Sequence, residues 1–139
     1  MLIAVDFDGT IVEHKFPAIG KERPFATDTL KQLIADGHRL VLWTNRKGQH
    51  LEEAVQWCKE RGVEFYSVNK CFPEENINFD EPRKIKVDLY IDDRNIGGLP
   101  EWGEIYTIIS QHISYRDYLA RELTGEKPQH KKRKHWWQR

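Results

Sequence analysis

The stretch Leu2-Ile3-Ala4-Val5-Asp6-Phe7-Asp8-Gly9-Thr10 decides how the rest of the chain reads. Its first half is short, apolar and partly β-branched, the pattern of a strand buried on both faces. The second half breaks into two aspartates and a glycine, and Asp8-Gly9 is a turn signal. In an open parallel sheet, ligands bind in the crevice beyond the carboxyl ends of the strands. Such a fold therefore asks for reactive side chains just after its apolar runs. Two further runs meet that request: Leu40-Val41-Leu42-Trp43 leads into Thr44-Asn45-Arg46, and Val87–Ile91 leads into Asp92-Asp93-Arg94.

Working outward, strand and helix patterns alternate. Gly9 to Gly20 reads as a loop or flap. Residues 26–36 repeat apolar side chains at helical spacing (Leu30, Leu33, Ile34), with Pro24 near the entry and Gly37 past the end. Residues 48–61 do the same through Leu51, Ala54, Val55 and Cys58, with Gly62 as the stop. Val63–Val68 reads as a third strand, Lys70–Pro82 as irregular, and Ile105–Ile109 as a fifth strand. A last helix runs from Ser114 to Leu123, with Ser114 as cap, Asp117 three residues on, and Gly125 at its end. The expected fold is α/β: a Rossmann-like parallel sheet of about five strands with helices on both faces. Residues 1–125 would form the catalytic domain and 126–139 a tail.

Composition limits the alternatives. At 139 residues, 39% of them hydrophobic, the chain suits one core. It has no apolar run of membrane-spanning length and no leader-like start, so a soluble, cytoplasmic protein without membrane partners is expected. Cys58 and Cys71 are too few for a disulfide scaffold, and no histidine pair stands at zinc spacing beside them. The formal net charge is zero, yet Lys127, Lys131, Lys132, Arg133, Lys134 and Arg139 face only Glu126 in the tail, so the body is acidic. With Trp136 and Trp137 interleaved, the tail offers phosphate contacts and stacking to nucleic acid. A solvated extension is the plainer reading of such a charge run.

Carboxylates gathered from two strand ends repel one another unless a cation joins them. Oxygen donors without histidine or thiolate favour magnesium over zinc or copper. The spacing in Asp6-Phe7-Asp8 lets one aspartate attack phosphorus while the other reaches the leaving oxygen. Gly9 frees the backbone to turn sharply. The Thr44 hydroxyl and the Asn45 backbone amide would meet the phosphoryl oxygens. A lysine, Lys84 or Lys86, would add positive charge. Arg46 and Arg94 read as residues of the site rim or its supporting loops.

These residues resemble the haloacid dehalogenase superfamily of phosphohydrolases. Asp6-Phe7-Asp8-Gly9-Thr10 is similar to its first motif, Leu42-Trp43-Thr44-Asn45-Arg46 to the second, and Ile91-Asp92-Asp93-Arg94 to the fourth; Lys84 is taken for the third, with Lys86 as alternative. The resemblance covers roughly the first hundred residues. It implies that Asp6 is the nucleophile and Asp8 the general acid/base. It also implies that Mg2+ is held by the Asp6 carboxylate, the Asp8 backbone carbonyl and the Asp92 carboxylate, with Asp93 orienting its neighbours. Thr44 and Lys84 would hold the phosphoryl group. Asp8 argues against a dehalogenase, so the resemblance implies a phosphatase.

Neither interval between motifs leaves room for a folded cap. The site is therefore expected to be open to a large substrate, or to a partner subunit of a homo-oligomer acting as lid. The expected activity is Mg2+-dependent hydrolysis of a phosphorylated small molecule. The alternatives are a phosphatase for nucleotides or nucleic-acid ends that grips through the tail, and a non-catalytic phosphate-binding module.

Overall fold

The computed structural model describes residues 1–77, 80 and 82–125. Strand β1 (Leu2–Val5) lies between β2 (Arg39–Leu42) and β4 (Leu89–Ile91), and β3 (Ser67–Val68) pairs with the far side of β2. Every pairing is parallel, giving the order β3-β2-β1-β4. Val5 is in register with both Leu42 and Ile91. That register places the residues after β1, β2 and β4 side by side at one edge. The chain steps from β1 to β2 to β3 in one direction, then returns to β4 on the other side of β1. The switch in strand order therefore lies between β1 and β4, where Asp6 and Asp92 emerge.

Both faces of β1 are covered, as its unbroken apolar run requires: Ile3, Ala4 and Val5 are all buried. Right-handed crossovers put the two helices of the outward steps on one face, α1 (Ala26–Ala35) and α2 (Gly48–Glu60). They put the return segment on the other. Ala4 and Val41 accordingly pack with Ile85 of that segment, with Cys71, Val87 and Tyr90 around them.

Helix α1 buries Ala26, Leu30 and Leu33. Its start is held by Glu22, whose carboxylate accepts the Thr27 backbone N–H at 2.9 Å and the Thr27 hydroxyl. Helix α2 buries Ala54 and Cys58, the stripe its sequence shows, and the chain leaves it through Gly62 at φ 82°. Burial pushes the Cys58 thiol up to about 12. The flap is fastened rather than open. Ile11 and Val12 are buried, Val12 bridges to Asp8 and Glu22, and the Arg23 N–H donates to the Ile11 carbonyl.

Among the described residues the sheet has four strands, where the sequence pattern suggests five. Ile105–Ile109 belongs to helix α3 (Trp102–Ser110), which buries Trp102, Ile105 and Ile109. A β-branched run gives a strand signal by composition. The spacing of those buried positions is helical, and a reciprocal capping box between Glu101 and Glu104 starts the helix. The third strand is also shorter than read, Ser67–Val68 rather than from Val63, and the fourth begins at Leu89 rather than Val87. Helix α4 (Tyr115–Thr124) is capped as its sequence indicates, with Ser114 Oγ accepting the Asp117 N–H and Gly125 left-handed at its end.

Residues Met1–Leu99 and the stretch from Pro100 onward form two separate units. The sheet and every site residue discussed below lie in the first. Among the described residues there is no inserted cap domain, and no helix is long and apolar enough to cross a membrane. The basic tail lies outside the described residues.

Candidate active site at the carboxyl edge of the sheet

The parallel pairing of β1 and β4 continues one step past the strands, where the Asp6 N–H donates to the Ile91 carbonyl at 2.9 Å. This brings the Asp6 carboxylate beside Asp92 and Asp93. One oxygen from each of the three lies within 4.8 Å of the others. Thr10 sits beneath them, fully buried. Its hydroxyl is 2.9 Å from Asp6 Oδ2 and 3.3 Å from Asp93 Oδ1, and it accepts the Asp93 N–H at 3.0 Å. One hydroxyl proton is thus shared between two carboxylates. Gly9, at φ 86°, lies so close that any Cβ there would collide with the Asp93 carboxylate. Asp92 closes a turn by accepting the Arg94 N–H at 2.9 Å.

The electrostatics of this cluster are unfavourable. The Asp6 carboxyl is pushed up to about 7, chiefly by burial and also by the neighbouring Asp92 and Asp93, against the lowering effect of the Thr10 hydrogen bond. Three converging oxygens without nitrogen or sulfur donors fit a hard divalent cation, which would remove the repulsion. Magnesium is one of the cations that take such oxygen donors. The resemblance implies Asp6, Asp92 and the Asp8 carbonyl as ligands, whereas the carboxylates that converge are those of Asp6, Asp92 and Asp93.

Asp8 is held quite differently. Arg46 grips it with two hydrogen bonds, Nε to Oδ2 and Nη2 to Oδ1, each 2.7 Å. Arg46 is only 3% exposed, and its guanidinium lies 5.2 Å from the Phe7 ring centre and 5.1 Å from that of Phe16. Phe7 in turn is buried edge-on against Trp57 of α2. Arg46 is thus a buried partner of Asp8, not a rim residue.

Thr44 stands at the end of β2. Its backbone N–H donates to Asn69 Oδ1 at 2.8 Å, and its hydroxyl oxygen accepts the Arg46 N–H at 3.1 Å, which leaves the O–H to donate. Asn45 is exposed beside it. Lys84 is exposed, with its ammonium 5.5 Å from the centre of the Tyr90 ring, two residues before Asp92. The Lys86 backbone N–H donates to Cys71 Sγ, on the Ala4 face of the sheet.

Two residues were not singled out by sequence reasoning. Thr10 was part of the first quoted stretch, but nothing in a sequence marks its hydroxyl as the link between Asp6 and Asp93. Asn69 follows a strand end, so the rule that selected Thr44 and Asp92 would have found it. It adopts φ 54°, a left-handed conformation that asparagine tolerates better than most residues.

No protein-family model matches this chain. It is 28% identical over 102 residues to a Bacillus cereus protein bearing the name "Putative nucleotidase", a match that covers 69% of this chain and 51% of the relative. The chain thus spans about half the length of that curated relative. It is also similar to a solved structure of a conserved protein from Bacteroides thetaiotaomicron, with 56% identity, a TM-score of 0.79, and coverage of 85% of this chain and 96% of the other. At that identity and coverage, the chain belongs to the same family as the Bacteroides thetaiotaomicron protein.

Proposed function

We propose that the protein is a Mg2+-dependent phosphatase of the haloacid dehalogenase type that works through an aspartyl-phosphate on Asp6. The observation that carries this reading is the convergence of the Asp6, Asp92 and Asp93 oxygens at the strand-order switch. A bound cation would neutralise the cluster and the incoming phosphate. Its ligands would be the Asp6 and Asp92 carboxylates and the Asp8 backbone carbonyl, with Asp93 nearby.

In the first half-reaction an Asp6 oxygen attacks phosphorus. The bond from phosphorus to the ester oxygen breaks, and Asp8 delivers a proton to that departing oxygen. In the second half-reaction Asp8 takes a proton from water as the water attacks phosphorus. The bond between Asp6 and phosphorus breaks, and inorganic phosphate leaves. The Thr44 hydroxyl and the Asn45 amide would donate to the phosphoryl oxygens. Lys84 is the lysine we assign; its ammonium lies over the ring of Tyr90, two residues before Asp92 in the chain.

The name of the Bacillus cereus relative favours a nucleotide as the phosphorylated small molecule. The uncapped carboxyl edge is consistent with a substrate of that size. The test is hydrolysis of an aryl phosphate and of nucleoside monophosphates with Mg2+ and with EDTA, followed by hydroxylamine trapping of the enzyme. Turnover that needs Mg2+, with a hydroxylamine-labile phosphate on Asp6, is the expected result. Metal-independent turnover, or a labelled residue other than Asp6, would refute the mechanism.

A further inference from the structure

We infer that Arg46 is the positioning residue for Asp8, and that the flap carbonyls of Pro17 and Ala18 hold Arg46 in that task. The inference rests on the proposed role of Asp8 as proton donor.

All five N–H donors of the guanidinium are engaged. Nε and one Nη2 hydrogen take the two Asp8 oxygens; the other Nη2 hydrogen takes the Ala18 carbonyl at 3.0 Å; the Nη1 pair takes the carbonyls of Pro17 at 3.2 Å and His50 at 3.3 Å. A planar fork with every donor used has one orientation. It therefore fixes the plane of the Asp8 carboxylate. Each carboxylate oxygen has a second lone pair, and that is the one left to carry the proton toward a leaving oxygen. Its direction is set by Arg46.

A structural ion pair alone would not need this arrangement. The pair is buried, so its desolvation offsets much of its attraction, and its contribution to stability is correspondingly limited. What the arrangement does supply is a link between the flap and the catalytic acid. Two of the five acceptors are flap carbonyls, and the flap ring of Phe16, 51% exposed, covers the guanidinium. A shift of the flap therefore turns the fork, and the fork turns Asp8. The role is indirect: Arg46 acts through Asp8 and not on the phosphate.

The test uses the 139-residue chain with Mg2+, comparing kcat/KM for p-nitrophenyl phosphate and for an alkyl phosphate. This ratio covers the steps up to departure of the leaving group. The nitrophenolate leaves without a proton, whereas the alkoxide needs one. Arg46→Lys keeps the charge and loses the planar fork. It should lower kcat/KM for the alkyl ester by about 100-fold, near the lower end of what general acid catalysis supplies, and for the nitrophenyl ester by less than about fivefold. In an Asp8→Asn background the same substitution should cost nothing further, because the two residues act as one unit.

Equal losses on both esters, or an undiminished extra loss in the Asp8→Asn background, would overturn the inference and make Arg46 a phosphate contact or a purely structural residue. Should Arg46→Lys fail to fold by circular dichroism, Phe16→Leu decides, since that side chain is on the exposed flap. A loss of several-fold confined to the alkyl ester supports the link, and unchanged or equally lowered rates overturn it. Wild-type protein inactive on both esters would instead sink the phosphatase reading, and this inference with it.

Discussion

Asp6 and Asp8 are two residues apart and live in opposite surroundings. Asp6 sits among other carboxylates, is pushed up to about 7 chiefly by burial, and has a shared hydroxyl proton as its closest donor. Asp8 has a guanidinium on both oxygens. Between them Phe7 is locked edge-on against Trp57, 5.8 Å between ring centres, and separates the two environments. In the proposed mechanism this difference would let a short acidic motif serve two functions. One carboxylate is left short of positive charge, which prepares it for a cation and a phosphate. The other is already paired with a guanidinium that fixes its geometry, as the proposed acid and base would require. Environments that set two carboxylates apart are how one site runs both nucleophilic and proton-transfer chemistry.

The sharpest way to break this contrast is to remove the charge that makes Asp6 costly. Asp6→Asn should lower turnover of an aryl phosphate by ~10³-fold or more, since it deletes the attacking oxygen. The same change should raise the melting temperature of the metal-free protein, because an amide ends the repulsion with Asp92 and Asp93. Turnover within tenfold of wild type would mean that Asp6 is not the nucleophile, and a metal-free protein that melts lower would mean that it is not strained. Thr10→Val asks a subtler question. It keeps the shape and deletes the hydroxyl that joins Asp6 to Asp93. Loss of those buried hydrogen bonds should cost about 1–3 kcal/mol in urea unfolding. It should also weaken Mg2+ affinity, measured by titration calorimetry, while leaving the Asp8–Arg46 pair untouched.

Acidity gives a third handle. In the fold the Asp6 carboxyl keeps its proton up to about 7, whereas its ordinary value is 3.8. The folded state thus binds the proton more tightly than the unfolded chain. This group's contribution to stability is present in full below its ordinary value and is lost as pH rises toward 7. In EDTA the melting temperature should therefore fall, for this group, between pH 4 and 7. A cation competes with that proton, so the rise in melting temperature on adding Mg2+ should be larger at pH 8 than at pH 5.5. Equal shifts at both pH values would remove Asp6 from the metal site.

The strand ends were legible because an apolar run has to be buried, and its first polar residue then marks the edge of the sheet. Leu2–Val5, Arg39–Leu42 and Leu89–Ile91 follow that logic, and Asp6, Thr44 and Asp92 emerge where it places them. Ser114 and Gly125 were legible because capping is local chemistry. Ile105–Ile109 misled because five adjacent residues carry composition but too few turns to show a period; Trp102 and Glu101 had to be counted with them. The pairing of Arg46 with Asp8 was out of reach for another reason. Its acceptors come from residues 8, 17, 18 and 50, and no spacing in the chain announces that they meet. Lys84 and Lys86 stayed ambiguous for want of periodicity in the irregular stretch before β4; in the fold Lys84 lies against the Tyr90 ring while the Lys86 backbone meets Cys71.

The smallest expected effect concerns Asn69, which steadies the Thr44 side of the site without touching either aspartate. Its side chain is the acceptor for the Thr44 N–H, and its own backbone is left-handed at φ 54°. Two substitutions separate these roles. Asn69→Gly relaxes the backbone but leaves Thr44 without its acceptor, at about 1 kcal/mol for a half-exposed group that water reaches. Asn69→Ala suffers that loss and adds a Cβ in the left-handed region, roughly 1–2 kcal/mol more. Both should raise KM for an aryl phosphate by a few-fold through a loosened Thr44, with kcat and the Mg2+-induced rise in melting temperature unchanged. A fall in that metal-induced rise would show that the end of β2 and the Asp6 cluster are a single unit, and the contrast between the two halves of the site would have to be redrawn.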